Sequence, residues 1–178
     1  MLEQFRREPE WGVVTKTAFD SYYREHYTLV LRFAERRIDQ ELALEVCADC
    51  FAIAWRDFDD ESPPPLPWLY QTARNLLGNA YRKRAREQKL LDALVERARN
   101  VNDRPSQTAL SAAIDALKPK DRDALQLTYW EGLGAADVAT VLGCTEQAAW
   151  KRLSRAKQQL RVLLETASDT IGKEDANV

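Results

Sequence analysis

Nowhere in this 178-residue chain do apolar β-branched residues alternate with polar ones over the length of a strand, and only six glycines are available to turn hairpins. Leu, Ala, Glu, Arg and Gln dominate instead, side chains that lose little freedom in a helix. The expected fold is therefore all-α. A hydrophobic share of 45% beside 30% charged residues suits a globular protein and excludes disorder throughout. The longest uncharged stretch, Ser62 to Ala73, holds four prolines, and no run approaches the roughly 18 to 20 apolar residues that span a bilayer, so no membrane insertion is expected. The first residues, Met1 to Glu8, mix both charge signs and lack an apolar export segment, which makes the cytoplasm the expected location.

Proline and polar residues punctuate the helical pattern. Apolar spacing predicts a first helix over about Thr17 to Asp39, with Phe19, Tyr23, Tyr27, Val30 and Phe33 at helical intervals, and a second over about Gln40 to Phe58. Asp59 to Pro65 must then be a loop, since consecutive prolines forbid helix. Pro67 suits the first turn of a third helix, from about Leu66 to Arg97, with Arg86 the place where a break would fall. The polar, aperiodic segment around Asn100 to Ser106 reads as a flexible linker between two small helical domains. Four shorter helical patterns follow, at about Ser106–Leu117, Lys120–Glu131, Ala135–Leu142 and Thr145–Thr166. The expected organisation is an N-terminal tail (1–16), a first domain (17–98), a linker (99–106), a four-helix second domain containing a helix-turn-helix (107–166) and a polar, frayed tail (167–178).

Charge is distributed unevenly. The net charge of −2 excludes a protein held on nucleic acid by bulk charge alone. Glu35 to Glu61 nevertheless holds nine acidic residues against three basic ones, whereas Tyr70 to Lys89 holds six basic against one acidic. Trp150 to Arg161 holds five basic residues and no acid. Three cysteines cannot all pair within one chain, and reduced thiols are expected. A single histidine, no glycine-rich phosphate loop and no nucleophile beside a base give an enzyme reading little support, so no catalytic residue, cofactor or metal is assigned.

Two stretches suit nucleic acid. Ala135 to Leu153 has the small residue (Ala139) and the glycine four positions later (Gly143) that a helix-turn-helix needs, with Val138 and Leu142 able to face the second helix and Thr145 placed to cap it. Ala149, Leu153, Ala156 and Leu160 would return to the core. The outward face then carries Gln147, Trp150, Lys151, Ser154, Arg155 and Gln158, donors for base edges and phosphates; the alternative is a hairpin with a solvated basic face. In the second stretch Trp68, Gln71, Asn75, Asn79, Arg82 and Arg86 share one helical face, and Leu69, Ala73, Leu76 and Ala80 another. Such a row suits a single strand whose bases stack and whose phosphates are tracked, or equally a packed tryptophan followed by a solvated basic end. A third feature is the acidic stripe Glu41, Glu45 and Asp49, with Ala48, Ala52 and Arg56, opposite the apolar Val46, Cys47, Cys50, Phe51, Ala54 and Phe58. It could accept a basic helix from a partner, or be an ordinary solvated face.

In their order and spacing these pieces resemble the extracytoplasmic-function (ECF) class of bacterial RNA polymerase sigma factors, over about Thr17 to Leu164. The resemblance rests on the acidic helix around Glu45 to Trp55, then Trp68-Leu69 with Ala73-Arg74-Asn75 and the basic end Arg82 to Arg86. It continues through Leu117-Lys118-Pro119 with Arg122, Tyr129 to Leu133, Asp137-Val138-Ala139, Leu142-Gly143 and Arg152 to Ala156. It implies that Glu41, Glu45 and Asp49 dock on the clamp helices of the largest subunit of core RNA polymerase. It implies equally that Trp68, Gln71, Asn75, Asn79, Arg82 and Arg86 take the promoter minus-10 element, and that Gln147, Trp150, Lys151, Ser154 and Arg155 read the minus-35 duplex. An anti-sigma factor is the implied regulator. The chain departs from the family pattern at Ala48, where a glutamine is common, in its acidic triple-proline loop Asp59 to Pro65, and in Cys47-x-x-Cys50. Only His26 and Cys144 could complete a zinc set with those thiols, so core packing is the expected role of the pair. Two other readings are a stand-alone helix-turn-helix regulator and a thiol or metal sensor built on Cys47 and Cys50.

Overall fold

The computed structural model describes residues 13–94 and 108–174. These form seven α-helices: α1 Val13–Glu35, α2 Gln40–Arg56, α3 Leu66–Leu94, α4 Ala109–Asp115, α5 Pro119–Tyr129, α6 Ala135–Leu142 and α7 Glu146–Glu174. The fold is all-α, with no strand among the described residues. Contacts divide the chain into two compact units, the division falling after Tyr81, within α3. The expected linker at 99–106 lies outside the described residues, as does most of the N-terminal tail.

The largest departures from expectation concern α1, α3 and α7, the other helices differing by up to three residues at their ends. Helix α1 begins at Val13 and stops at Glu35, because Asp39 is extended and caps α2 by accepting a hydrogen bond from the Leu42 N–H at 3.2 Å. Helix α3 runs through Arg86 without a break. Helix α7 continues through the supposed frayed tail to Glu174. No proline interrupts that segment, and lengthening an existing helix costs far less than starting one.

In the first unit α1 closes on its own last turn, where the Arg37 guanidinium donates to the Phe33 carbonyl at 2.7 Å and lies over the Phe33 ring. Val30, Phe33 and Ala34 of α1 are buried together with Ala43, Val46, Cys47, Cys50, Phe51 and Ala54 of α2 and Leu69, Tyr70, Ala73 and Leu77 of α3. The inner face of α3 is therefore set by Leu69, Tyr70, Ala73 and Leu77, while Leu76 and Ala80, expected there, are not fully buried. Phe19 meets Trp55 and Phe58 edge-on at 4.7 and 5.1 Å, an arrangement favoured by the ring quadrupoles. Three consecutive prolines supply no N–H to the loop before α3, and the Tyr22 hydroxyl donates to the Pro64 carbonyl at 2.8 Å, tying that loop to α1.

The second unit starts with a capping box, Thr108 and Ser111 satisfying each other's backbone N–H at the start of α4. Pro119 occupies the first turn of α5. Leu117, Leu125, Leu153 and Ala156 form the core, with Ile114, Leu160 and Leu163 packed against it. Helix α6 ends at Gly143 in the left-handed region (φ 58°), where the Cys144 N–H reaches back to the Ala139 carbonyl at 3.0 Å. Replacing Gly143 by alanine meets no atom within 4 Å, so only backbone strain opposes it. Gly143→Ala should destabilise the second unit by about 1 kcal/mol and Gly143→Asn by less, compared by thermal unfolding followed by circular dichroism.

Candidate nucleic-acid interface

Helix α7 starts where the left-handed turn delivers it. The Thr145 hydroxyl caps it by accepting from the Ala148 N–H at 3.2 Å, and Ala149, Leu153 and Ala156 are buried. Val138, Ala139 and Val141 are buried on α6, with Leu142 half-buried. This packing leaves Gln147, Trp150, Lys151, Ser154, Arg155 and Gln158 exposed on α7. Trp150, 54% exposed, is a large ring displayed among these donors. Arg152 turns away from this face, its Nη1 3.1 Å from Cys144 Sγ. Arg155 is also engaged, donating from Nη2 to the buried Asp121 carboxylate at 3.1 Å. Sequence reasoning passed over Asp121, although its helical phase with Ala124 and Leu125 put it on the inner face of α5.

On α3 the expected row is graded. Trp68 and Gln71 are half-buried, whereas Asn75, Asn79, Arg82 and Arg86 are exposed, the Arg86 Nε donating back to the Arg82 carbonyl at 3.2 Å. Tyr81, 48% exposed, donates its hydroxyl to the Arg37 carbonyl. On α2, Glu41, Glu45, Ala48, Asp49, Ala52 and Arg56 are spread along the outward side, away from the buried Val46, Cys47 and Cys50. Leu44 and Trp55, 45% and 41% exposed, flank this stripe, so the surface mixes carboxylates with apolar groups. The sequence signal for the two was present in their phase but was obscured by the charges around them. The Asp59 carboxylate accepts from the Glu61 N–H at 3.0 Å, giving the acidic loop a local turn.

Cys47 and Cys50 are buried, with Sγ of Cys50 3.5 Å from the Leu69 carbonyl. Burial pushes their thiols up from an ordinary value of 9.0 to about 11 for Cys47, with Glu35 adding to it, and to about 12 for Cys50, with Cys47 adding to it. Burial and then the nearby Cys50 and Glu25 likewise raise the Tyr22 phenol above its usual range. Among the described residues no three His, Cys, Asp or Glu side chains are grouped to hold a metal. His26 instead stacks on Tyr22 at 4.6 Å. A shallow apolar groove of about 700 Å³ on the second unit, lined by Leu110, Ile114, Tyr129, Trp130, Leu160 and Leu164 among others, was not anticipated from the sequence. Its residues come from three helices, so no single pattern announces it.

These features define an all-α, two-unit protein built around a helix-turn-helix. Residues 22–87 match the family described as sigma-70 region 2, and residues 107–160 match that described as sigma-70 region 4. The RNA polymerase sigma factor CnrH of Cupriavidus metallidurans is 30% identical over 142 residues, covering 70% of this chain and 74% of that protein. The ECF RNA polymerase sigma factor EcfG of Rhodopseudomonas palustris is 36% identical over 103 residues, covering 54% of this chain and 56% of that protein. The match thus spans little more than half the length of EcfG. The fold is similar to that of the sigma factor RpoE, solved in complex with the anti-sigma factor NepR from Bartonella quintana, with a TM-score of 0.63 at 23% identity over 83% of this chain and 96% of that one. The chain belongs to the extracytoplasmic-function group of the sigma-70 family of RNA polymerase sigma factors. Among the described residues no helix is long and apolar enough to cross a membrane.

The thiol geometry has a chemical consequence. Thiolates are the reactive form, so in the folded chain near neutral pH a thiol-specific reagent should modify only Cys144, with Cys47 and Cys50 reacting after denaturation. Because folding raises both buried thiols, they hold protons that the unfolded chain has lost, and the first unit should lose stability as pH rises from about 9 through 12. Thiol titration with and without denaturant, and unfolding curves across that range, check both.

Proposed function

We propose that this chain is an alternative sigma factor that binds core RNA polymerase in the cytoplasm and directs it to promoters carrying minus-35 and minus-10 elements. The observation that carries the reading is the exposed face of α7, where Gln147, Trp150, Lys151 and Ser154 stand on a capped recognition helix packed by Ala149, Leu153 and Ala156. Amide, hydroxyl and ammonium donors on a helix of this kind suit base edges and phosphates in a major groove. On α3, Asn75, Asn79, Arg82 and Arg86 supply amides and cations for an opened strand, with Trp68 at the start of the helix. Capture of unstacked bases needs no covalent step, so the activity is assigned to binding and not to catalysis.

The acidic stripe of α2, flanked by Leu44 and Trp55, suits docking on basic helices of the polymerase clamp. A chain of net charge −2 has little general attraction for phosphates, which fits a subunit that becomes specific on joining the enzyme. An anti-sigma factor, as in the solved RpoE complex, is the regulator this reading expects, acting by masking these surfaces.

The test mixes the purified chain with core RNA polymerase and maps transcription starts on pooled genomic DNA. New starts sharing two spaced upstream elements are the expected result; absence of both new starts and polymerase binding would return the assignment to a stand-alone regulator. Reversing charge with a Glu45→Lys, Asp49→Lys double substitution should weaken polymerase binding by about tenfold or more while leaving the helical circular dichroism spectrum unchanged. Lys151→Ala should spare polymerase binding and reduce initiation at those promoters.

A further inference from the structure

Asp121 is the one charged side chain buried among the described residues, at 3% exposure. It stands in the first turn of α5, where helix N–H groups favour a carboxylate. Its partner lies 34 residues away on α7: Arg155 Nη2 donates to Oδ1 at 3.1 Å, and the Arg155 side chain remains 64% exposed. The pair opens on a concavity of about 350 Å³ whose lining also includes Lys118, Gln158 and Gln159. A buried carboxylate is costly without a partner, so the contact holds the guanidinium as well as satisfying the acid.

The place of Arg155 on α7 separates it from the other exposed donors. At about 100° per residue, Ser154 and Gln158 lie within about 20° of the direction of Gln147, whereas Arg155 lies about 80° round, on the flank toward α5. One edge of its fork is committed to Asp121, and the ammonium of Lys118 lines the same concavity. A guanidinium held in this way presents its remaining N–H groups in fixed geometry, and its place on the flank of the helix favours a phosphate oxygen over a base edge.

We propose that Asp121 is a positioning residue that fixes Arg155 on the flank of the recognition helix, where Arg155 clamps a backbone phosphate of duplex DNA and does not read a base. This rests on the minus-35 reading of α7 and corrects the role of Arg155 within it. Asp121 contributes to DNA affinity only through Arg155.

The experiment reconstitutes holoenzyme from core RNA polymerase and the full chain and selects an upstream element from a randomised duplex library. Dissociation constants for the selected duplex and its single-base-pair variants are then measured across salt concentrations for the wild type, Asp121→Asn, Arg155→Ala and the double variant. Circular dichroism melting confirms that each is folded. Arg155→Ala should weaken all duplexes by a similar factor, about threefold to tenfold, lower the salt slope by about 0.9 and leave the order of base preference unchanged. Asp121→Asn should cost about threefold more affinity in the wild-type background than in the Arg155→Ala background, a coupling from which the removed charge itself cancels. A preference shifted at one base pair in Arg155→Ala overturns the phosphate assignment, and equal effects of Asp121→Asn in both backgrounds overturn the positioning role. Should Asp121→Asn fail to fold, Arg155→Lys serves instead: it keeps the charge without the fork and should recover the salt slope but not the affinity, full recovery of both overturning the proposal. Failure of wild-type holoenzyme to select any upstream element overturns the minus-35 reading and this proposal with it.

Discussion

Helices of seven, eleven and eight residues, the lengths of α4, α5 and α6, do not persist alone in water, because nucleating each costs more than its few hydrogen bonds return. They exist here because α7, at 29 residues, gives all three a surface to pack on through residues such as Leu153, Ala156, Leu160 and Leu163. The same helix carries the exposed donors on its other side. Stability of the second unit and presentation of the exposed donors are therefore a single constraint: Ala149, Leu153 and Ala156 cannot be buried without Gln147, Lys151 and Ser154 facing outward. The left-handed turn at Gly143 sets the angle at which α6 delivers the chain to this arrangement.

The first unit solves a different problem. Its interior is built from aromatic rings and small residues, with Ala43, Cys47, Cys50, Ala54 and Ala73 permitting close approach of α1, α2 and α3. Close approach leaves no room to bury the carboxylates of α2, so Glu41, Glu45 and Asp49 are displayed together. The buried cysteines are part of that packing, and burial makes them poor nucleophiles and poor ligands. Burial of both thiols is what the core-packing role expected for Cys47 and Cys50 requires.

Much of the architecture was legible because helical periodicity is local. The phase of Val46, Cys47, Cys50, Phe51 and Ala54 predicted the buried side of α2, the Ala139 and Gly143 spacing predicted the turn, and Thr145 predicted the cap. Phase alone was less secure where bulky residues border the stripe: on α3 Tyr70 and Leu77 were drawn inward, and Leu76 and Ala80 were not. Arg152 and Arg155 sit three residues apart and looked alike in the sequence. One turns to Cys144 and the other to Asp121, partners that no spacing rule could identify because they come from a neighbouring turn and a neighbouring helix.

By itself the sequence determined the helical class, the two basic stripes, the acidic stripe and the position of the helix-turn-helix, because each depends on side-chain periodicity, glycine geometry or charge counted along the chain. Tertiary structure alone decided which cations are committed and which are displayed, where the apolar groove opens between α4, α5 and α7, and that a carboxylate is buried against α7. The physical reason is the range of the forces involved. Helix propensity and capping act over a few residues, whereas desolvation of Asp121 is set by atoms that meet only when α5 and α7 are packed.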